Sequence, residues 1–151
     1  MPLSKAKYLL FSANELFENK TININNMNFL IIDGAQDKII FFSSFNNNYY
    51  HKIIEPSKNN NEKFSMILFD FFNENGINLS KLNNIFANQG PGKFSGIRTS
   101  IAVAKALCFT NKLNLYGFSL NDLKDTNYKS VIELFDKGML TKNLIKPIYS
   151  S

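Results

Sequence analysis

Cysteine, histidine and arginine each occur once in the 151 residues, and each scarcity closes a class of function. One cysteine, Cys108, excludes an internal disulfide, and its place in an alanine-rich stretch suits a small buried hydrophobe. One histidine, His51, has no Cys, Asp or Glu at metal-ligand spacing, so it is expected on the surface and no metal site is expected. No Ser/His/Asp set, Cys/His pair or H-E-x-x-H motif can be assembled, which removes the usual hydrolase chemistry. A run of 18 apolar residues is also missing, as is a secretory leader pattern; no membrane association is expected, and the cytoplasm is the default location.

What is abundant points to a folded domain. Hydrophobic residues make up 44% of the chain and 15 of them are Phe, enough to build a core and to set global disorder aside. The net charge is +5, but all basic residues except Arg98 are lysines, scattered singly rather than in runs. Such a surface can still give weak, salt-sensitive attraction to nucleic acid.

The chain is organised around Gly90-Pro91-Gly92-Lys93-Phe94-Ser95-Gly96-Ile97-Arg98, preceded by the apolar run Asn84 to Ala87 and followed by an alanine-rich helix to Phe109. This reads as a parallel strand, a glycine loop and a long helix. Glycine allows close backbone approach and Pro91 presets φ, so the loop is a tight turn. Free N–H groups at the helix start can hold an anion. Neither phosphate motif fits, however: a Walker loop requires Ser or Thr where Phe94 stands, and the dinucleotide spacing puts its third glycine at Ser95. A turn that packs helix closely on strand is the competing reading. Arg98, in the first helical turn, opposes the helix dipole and therefore calls for a carboxylate or phosphate partner.

The run Gly90 to Arg98, with Lys105-Ala-Leu after it, resembles the G-P-G-S-F-T-G-L-R signature of the TsaB family. Met27 to Asp33 is similar to that family's opening strand, Gly117 to Leu123 to its G-V-S-S-L-x-A-L segment, and Pro147-Ile-Tyr149 to its closing P-x-Y. The resemblance implies a non-catalytic scaffold subunit that pairs with a TsaD-like partner in making N6-threonylcarbamoyladenosine on tRNA. On that reading the chain is not an enzyme and the old protease label has no chemistry behind it. ATP and metal belong to the partner, a TsaE-like ATPase joins as a further partner, and contact with tRNA is indirect. The alternative is a small anion- or nucleotide-binding enzyme using the Gly90 to Gly96 loop and Lys93.

The remaining patterns give the order β-β-β-α-β-α-β-α. Phe29 to Ile32, Asp37 to Phe45 and Tyr49 to Glu55 form an antiparallel meander with turns at Asp33 to Gln36 and Asn46 to Asn48. A helix over 61–75 ends at Gly76, and strands follow near Ile85 and at 113–118. The expected fold is α/β: a mixed five-stranded sheet with helices packed on it, resembling one lobe of the actin-like, ribonuclease H-like superfold. Residues 1–26 form an extension, 27–126 the lobe, and 127–151 a remnant where family members carry a second lobe. In the extension, Leu9, Leu10, Ala13, Leu16 and Phe17 share one face of a possible helix over 4–18. Two readings of it stand: an added helix covering apolar surface, or a tail before a start at Met27. The turn Asp33-Gly34-Ala35-Gln36 lacks the Ser/Thr hydroxyls of the family's D-T-S-T, leaving Asp33 as a degenerate phosphate-loop position, and a lone carboxylate is an inadequate metal site.

Both central helices look apolar on more than one side. Phe64, Ile67, Leu68, Phe71 and Phe72 share a face, with Met66 and Phe69 opposite; the second helix adds Ile97, Ile101, Ala104, Lys105 and Cys108, with small residues for close approach. A helix on a sheet needs one apolar stripe, so these residues are expected to form a partner interface, and a homodimer interface when the chain is alone. Coverage by the chain's own ends is the competing explanation.

Overall fold

The computed structural model of the protein describes residues 27–55, 57–92, 94–124 and 127–149. The expected N-terminal helix lies outside them, as does Lys93.

β1 (Phe29–Asp33), β2 (Ile39–Phe45) and β3 (Asn48–Ile54) form the meander. Antiparallel register pairs Phe29 with Ser44 in one ladder and Phe45 with Asn48 in the other. The β2–β3 loop is only Asn46-Asn47, both at positive φ (49° and 66°). A two-residue hairpin loop needs that conformation to match strand twist, and asparagine tolerates it. α1 (Asn60–Asn75) then leads to β4 (Asn84–Asn88), which runs parallel to β1, and α2 (Phe94–Asn111) leads to β5 (Asn114–Phe118), parallel to β4. α3 (Lys129–Asp136) follows, then β6 (Thr141–Lys142), antiparallel to β5.

The sheet order is therefore β3-β2-β1-β4-β5-β6, six strands where the sequence suggests five. β6 is two residues long, too short to show alternation, and is held beyond its ends by Asn143, whose N–H donates to the Leu115 carbonyl at 2.7 Å.

β1 is buried on both faces, so its continuous run Phe29-Leu30-Ile31-Ile32 divides between two cores. Leu30, Ile32, Phe41, Ile85 and Leu115 meet α1 and α2 on one side. Phe29, Ile31, Phe42, Phe86 and Phe118 meet Tyr128, Val131 and Ile132 of the α3 segment on the other. Three layers result, helices over sheet over helix. Phe41 anchors the first core, edge-on to Phe64 with ring centroids 5.4 Å apart.

His51 corrects its expected surface position. Its partner across β2–β3 is Phe42, on the α3 side, and it is only 3% exposed. The alternation of β3 places it inward with Tyr49, which a single polar residue in a strand does not reveal.

Gly76 ends α1 in the left-handed conformation (φ 64°), its N–H bonded to the Asn73 carbonyl, and a Cβ there would touch nothing. Gly76→Ala is therefore expected to cost about 1 kcal/mol through backbone conformation alone. Urea titration checks this; a loss several times larger would mean an unforeseen steric clash.

Candidate functional site

In open α/β sheets, ligands gather at the C-terminal ends of the parallel strands. Here that edge holds Asp33 at the end of β1, Asn88 at the end of β4, and the signature loop directly after it.

Asp33 is fully buried and its carboxylate is already spoken for. Oδ1 accepts from the Ala35 N–H at 3.2 Å and Asn88 Nδ2 at 2.9 Å. Oδ2 accepts from Gln36 Nε2 at 2.6 Å and the Tyr128 hydroxyl at 2.8 Å. Burial raises the Asp33 pKa above its ordinary value, and the four hydrogen bonds, which favour the charged form, offset only part of this. Burial, the Asp33 charge and their hydrogen bond together push the Tyr128 hydroxyl well above its usual range. No local pattern marks Tyr128, which stands 95 residues from its partner. The geometry makes Asp33 the centre of a closed structural network. Among the described residues, no group of three His, Cys, Asp or Glu side chains is placed to hold a metal.

The signature loop is closed in the same way, by protein backbone. A Cβ on Gly92 would collide with the Ala35 carbonyl oxygen, and one on Gly34 would lie 2.7 Å from the Gly96 carbonyl oxygen. The β1–β2 turn thus seats directly against the loop and the start of α2. On the other side, the Ile148 N–H donates to the Gln89 carbonyl at 2.7 Å, Gln89 Nε2 donates to the Lys146 carbonyl at 3.0 Å, and Tyr149 bridges in parallel to Gly92. Segment 145–149, containing the closing Pro-Ile-Tyr, therefore straps the loop, anchored by fully buried Ile145. The Gly90–Pro91 peptide is cis.

Carbonyl oxygens facing the glycines repel an anion rather than cradle it. The neighbouring cleft, lined by Gly34, Gln36, Asp37, Asn60, Ser95 and Gly96 among others, measures about 110 Å³ and contains a carboxylate. A small-molecule site is commonly at least about 300 Å³. A second opening beside the loop, lined by Ser95, Arg98, Thr99, Ala102 and Val103, holds about 460 Å³ but is a shallow groove open to solvent rather than an enclosing pocket, and Lys93 lies outside the described residues.

The expected interface residues divide sharply. Phe64, Leu68, Phe71, Phe72, Ile97, Ile101, Ala104 and Cys108 are all buried in the chain's own core, so they cannot also meet a partner; Ile67 is half-buried. Burial pushes the Cys108 thiol up to about 12, leaving it inert. Of the expected set, Phe69 and Lys105 face outward. The exposed apolar surface on these helices is instead Met66 (55% exposed) and Phe69 (45%) on α1 and Phe109 (88%) on α2, where Ala102 and Ala106 are exposed too. Periodicity identified apolar helices but not which apolar face the sheet absorbs. Arg98 is exposed one turn into α2 and lines a shallow open groove with Ser95, Thr99, Ala102 and Val103.

Comparison with known proteins agrees with this architecture. The family model for TsaD, tRNA N6-adenosine threonylcarbamoyltransferase, matches residues 54–123, a domain of the same actin-like fold. The chain is 44% identical over 43 residues to the tRNA threonylcarbamoyladenosine biosynthesis protein TsaB of Buchnera aphidicola, covering 28% of this chain and 20% of that protein. YeaZ from Pseudomonas aeruginosa superposes with a TM-score of 0.58 at 20% identity, over 62% of this chain and 44% of YeaZ. A second Pseudomonas aeruginosa structure, described as similar to peptidase YEAZ, matches equally well over 43% of its length. The chain thus spans less than half of these relatives, and the structural likeness shows the fold. No described helix is long and apolar enough to cross a membrane. The chain is thus similar to TsaB over a short aligned stretch and shares the fold of the YeaZ lobe.

Proposed function

We propose that the protein is a non-catalytic subunit of the machinery that makes threonylcarbamoyladenosine on tRNA, working through a TsaD-like partner that holds the ATP and metal. The observation carrying this reading is the exposed apolar surface of α1 and α2: Met66, Phe69 and Phe109 stand out from helices whose other large apolar residues are already absorbed by the sheet. Small, exposed Ala102 and Ala106, at helical spacing from Phe109 on α2, allow a partner helix to approach closely. The non-catalytic assignment is supported by the Asp33 carboxylate, which is saturated by the chain's own donors. Within residues 127–149, α3 covers the far face of the sheet and β6 extends its edge.

The test is co-elution with a TsaD-like protein on size exclusion. The parent chain is expected to form a complex and, alone, a homodimer through the same faces. Phe69→Asp and Ala106→Arg, both at exposed positions, should abolish complex formation while leaving the melting temperature within about 2 °C of the parent, as surface changes usually do. A complex that survives both substitutions would remove this interface.

A further inference from the structure

The charge of the protein is not spread evenly between neutralised and open sites. Lys38, Lys52 and Lys129 each have a carboxylate within 4 Å, at Glu55, Glu74 and Glu133. Exposed lysines elsewhere, such as Lys58, Lys81 and Lys112, also stand outside these ion pairs. What sets the segment from Lys137 to Tyr149 apart is that, beyond Asp136 just before it, it contains three lysines and no acidic residue. Lys137, Lys142 and Lys146 are all exposed, and none joins an ion pair among the described residues. Between them Met139, Leu144, Ile148 and Tyr149 are also exposed, Leu144 at 81%.

This surface is held in shape rather than loosely attached. β6 fixes Lys142 on the sheet edge, where its ammonium lies 5.9 Å from the Tyr116 ring centroid. Buried Ile145 and the bonds from Lys146 and Ile148 to Gln89 fix the rest against the signature loop. Fixed cations interleaved with exposed apolar and aromatic side chains suit a polyanion that also offers flat apolar faces. Phosphates meet the lysines, while bases or sugars meet Leu144, Ile148 and Tyr149.

We infer that the edge formed by β6 and the strap, residues 137–149, is a direct docking surface for the RNA phosphate backbone, tRNA in the first instance. This deepens the tRNA-modification reading and rests on it: the subunit brings its own RNA contact, beside the loop that leads into the partner-facing helix.

The experiment measures binding of bulk tRNA to the full chain by fluorescence anisotropy across a salt series. Lys137→Glu/Lys142→Glu/Lys146→Glu is compared with Lys58→Glu/Lys81→Glu/Lys112→Glu, whose targets are also exposed. Three reversals of two units each take both variants from a net charge of +5 to −1, so only the location of the change differs. The strap variant is expected to lose at least about tenfold in affinity, the control less than about threefold, and the strap variant's salt slope to fall by roughly 2 to 3, near 0.9 per phosphate contact. A matching Lys→Gln set settles the question should the reversed chain fold poorly. Equal losses in both variants, or no tRNA binding by the parent, would overturn the inference. So would tight binding to phosphatidylserine–phosphatidylcholine vesicles with none to tRNA. Because the chain is assayed alone, the outcome is separable from the partner test: co-elution without RNA binding removes this surface only, and RNA binding without co-elution removes the partner interface only.

Discussion

Asp33→Leu is expected to destabilise the protein by about 3–6 kcal/mol, whereas Asp33→Asn leaves it near or above its original stability at neutral pH. Leucine keeps the branched shape of aspartate with bulkier methyl groups and accepts nothing. It therefore strands the Ala35 N–H, Asn88 Nδ2 and the Tyr128 hydroxyl in a site without water access, while half-buried Gln36 can turn outward. Each stranded group costs roughly 1–3 kcal/mol, against a total stability of about 5–15 kcal/mol for a domain of this kind. Asparagine keeps an acceptor for Ala35 and Asn88, and its amide can donate to a rotated Tyr128 hydroxyl.

The pH dependence separates this from a simple packing effect. The folded pKa of Asp33 is raised above 3.8, chiefly by burial, so the folded state holds the proton more tightly than the unfolded chain does. Stability from that difference is present below the unfolded value and is lost as pH rises through the folded one. The melting temperature of the parent should therefore fall relative to Asp33→Asn as pH climbs from below 3.8, and the gap should level off once the folded carboxyl has ionised. A parent that gains on the asparagine variant over that range would mean the four hydrogen bonds outweigh burial. The network would then be an anion site held by its donors.

Much of the lobe could be read from the residues. The turn Asn46-Asn47, the Gly76 stop and the run Gly90 to Arg98 are local signals, and the strands and helices they punctuate lie where the patterns place them. What stayed hidden depends on distance along the chain. Tyr128 reaches Asp33, and Ile148 reaches Gln89, across separations no periodicity encodes. The same limit explains the interface: Phe64 and Phe69 are equally apolar in sequence, but only the sheet decides that Phe64 is absorbed and Phe69 left out. His51 is the converse case, a polar residue that the strand's alternation takes inside.

The glycine signature supplies the second large effect, since two roles assigned to it predict opposite outcomes for Gly92→Val. If the glycines existed to admit an anion, a side chain at Gly92 would block ligand and leave the fold intact. The structure instead places the Ala35 carbonyl where the Cβ would go, with the Ala35 carbonyl carbon 2.9 Å and its Cα 3.1 Å away. These are backbone atoms of a turn whose N–H is tied to buried Asp33, so trimming a neighbouring side chain brings no relief. Either the turn or the loop has to move, at an expected cost of about 3 kcal/mol or more, roughly 6–12 °C in melting temperature for a chain of this size. Gly138→Ala is the control: Gly138 has a positive φ of 69° and open space around it, so it bears the conformational cost without the clash. The expected order of destabilisation is Gly92→Val, then Gly92→Ala, then Gly138→Ala near 1 kcal/mol. Because the loop opens α2, a displaced Gly92 also tilts the face carrying Ala106 and Phe109, so complex formation should weaken in step with stability. Loss of stability with co-elution intact would separate the loop's packing role from the partner surface.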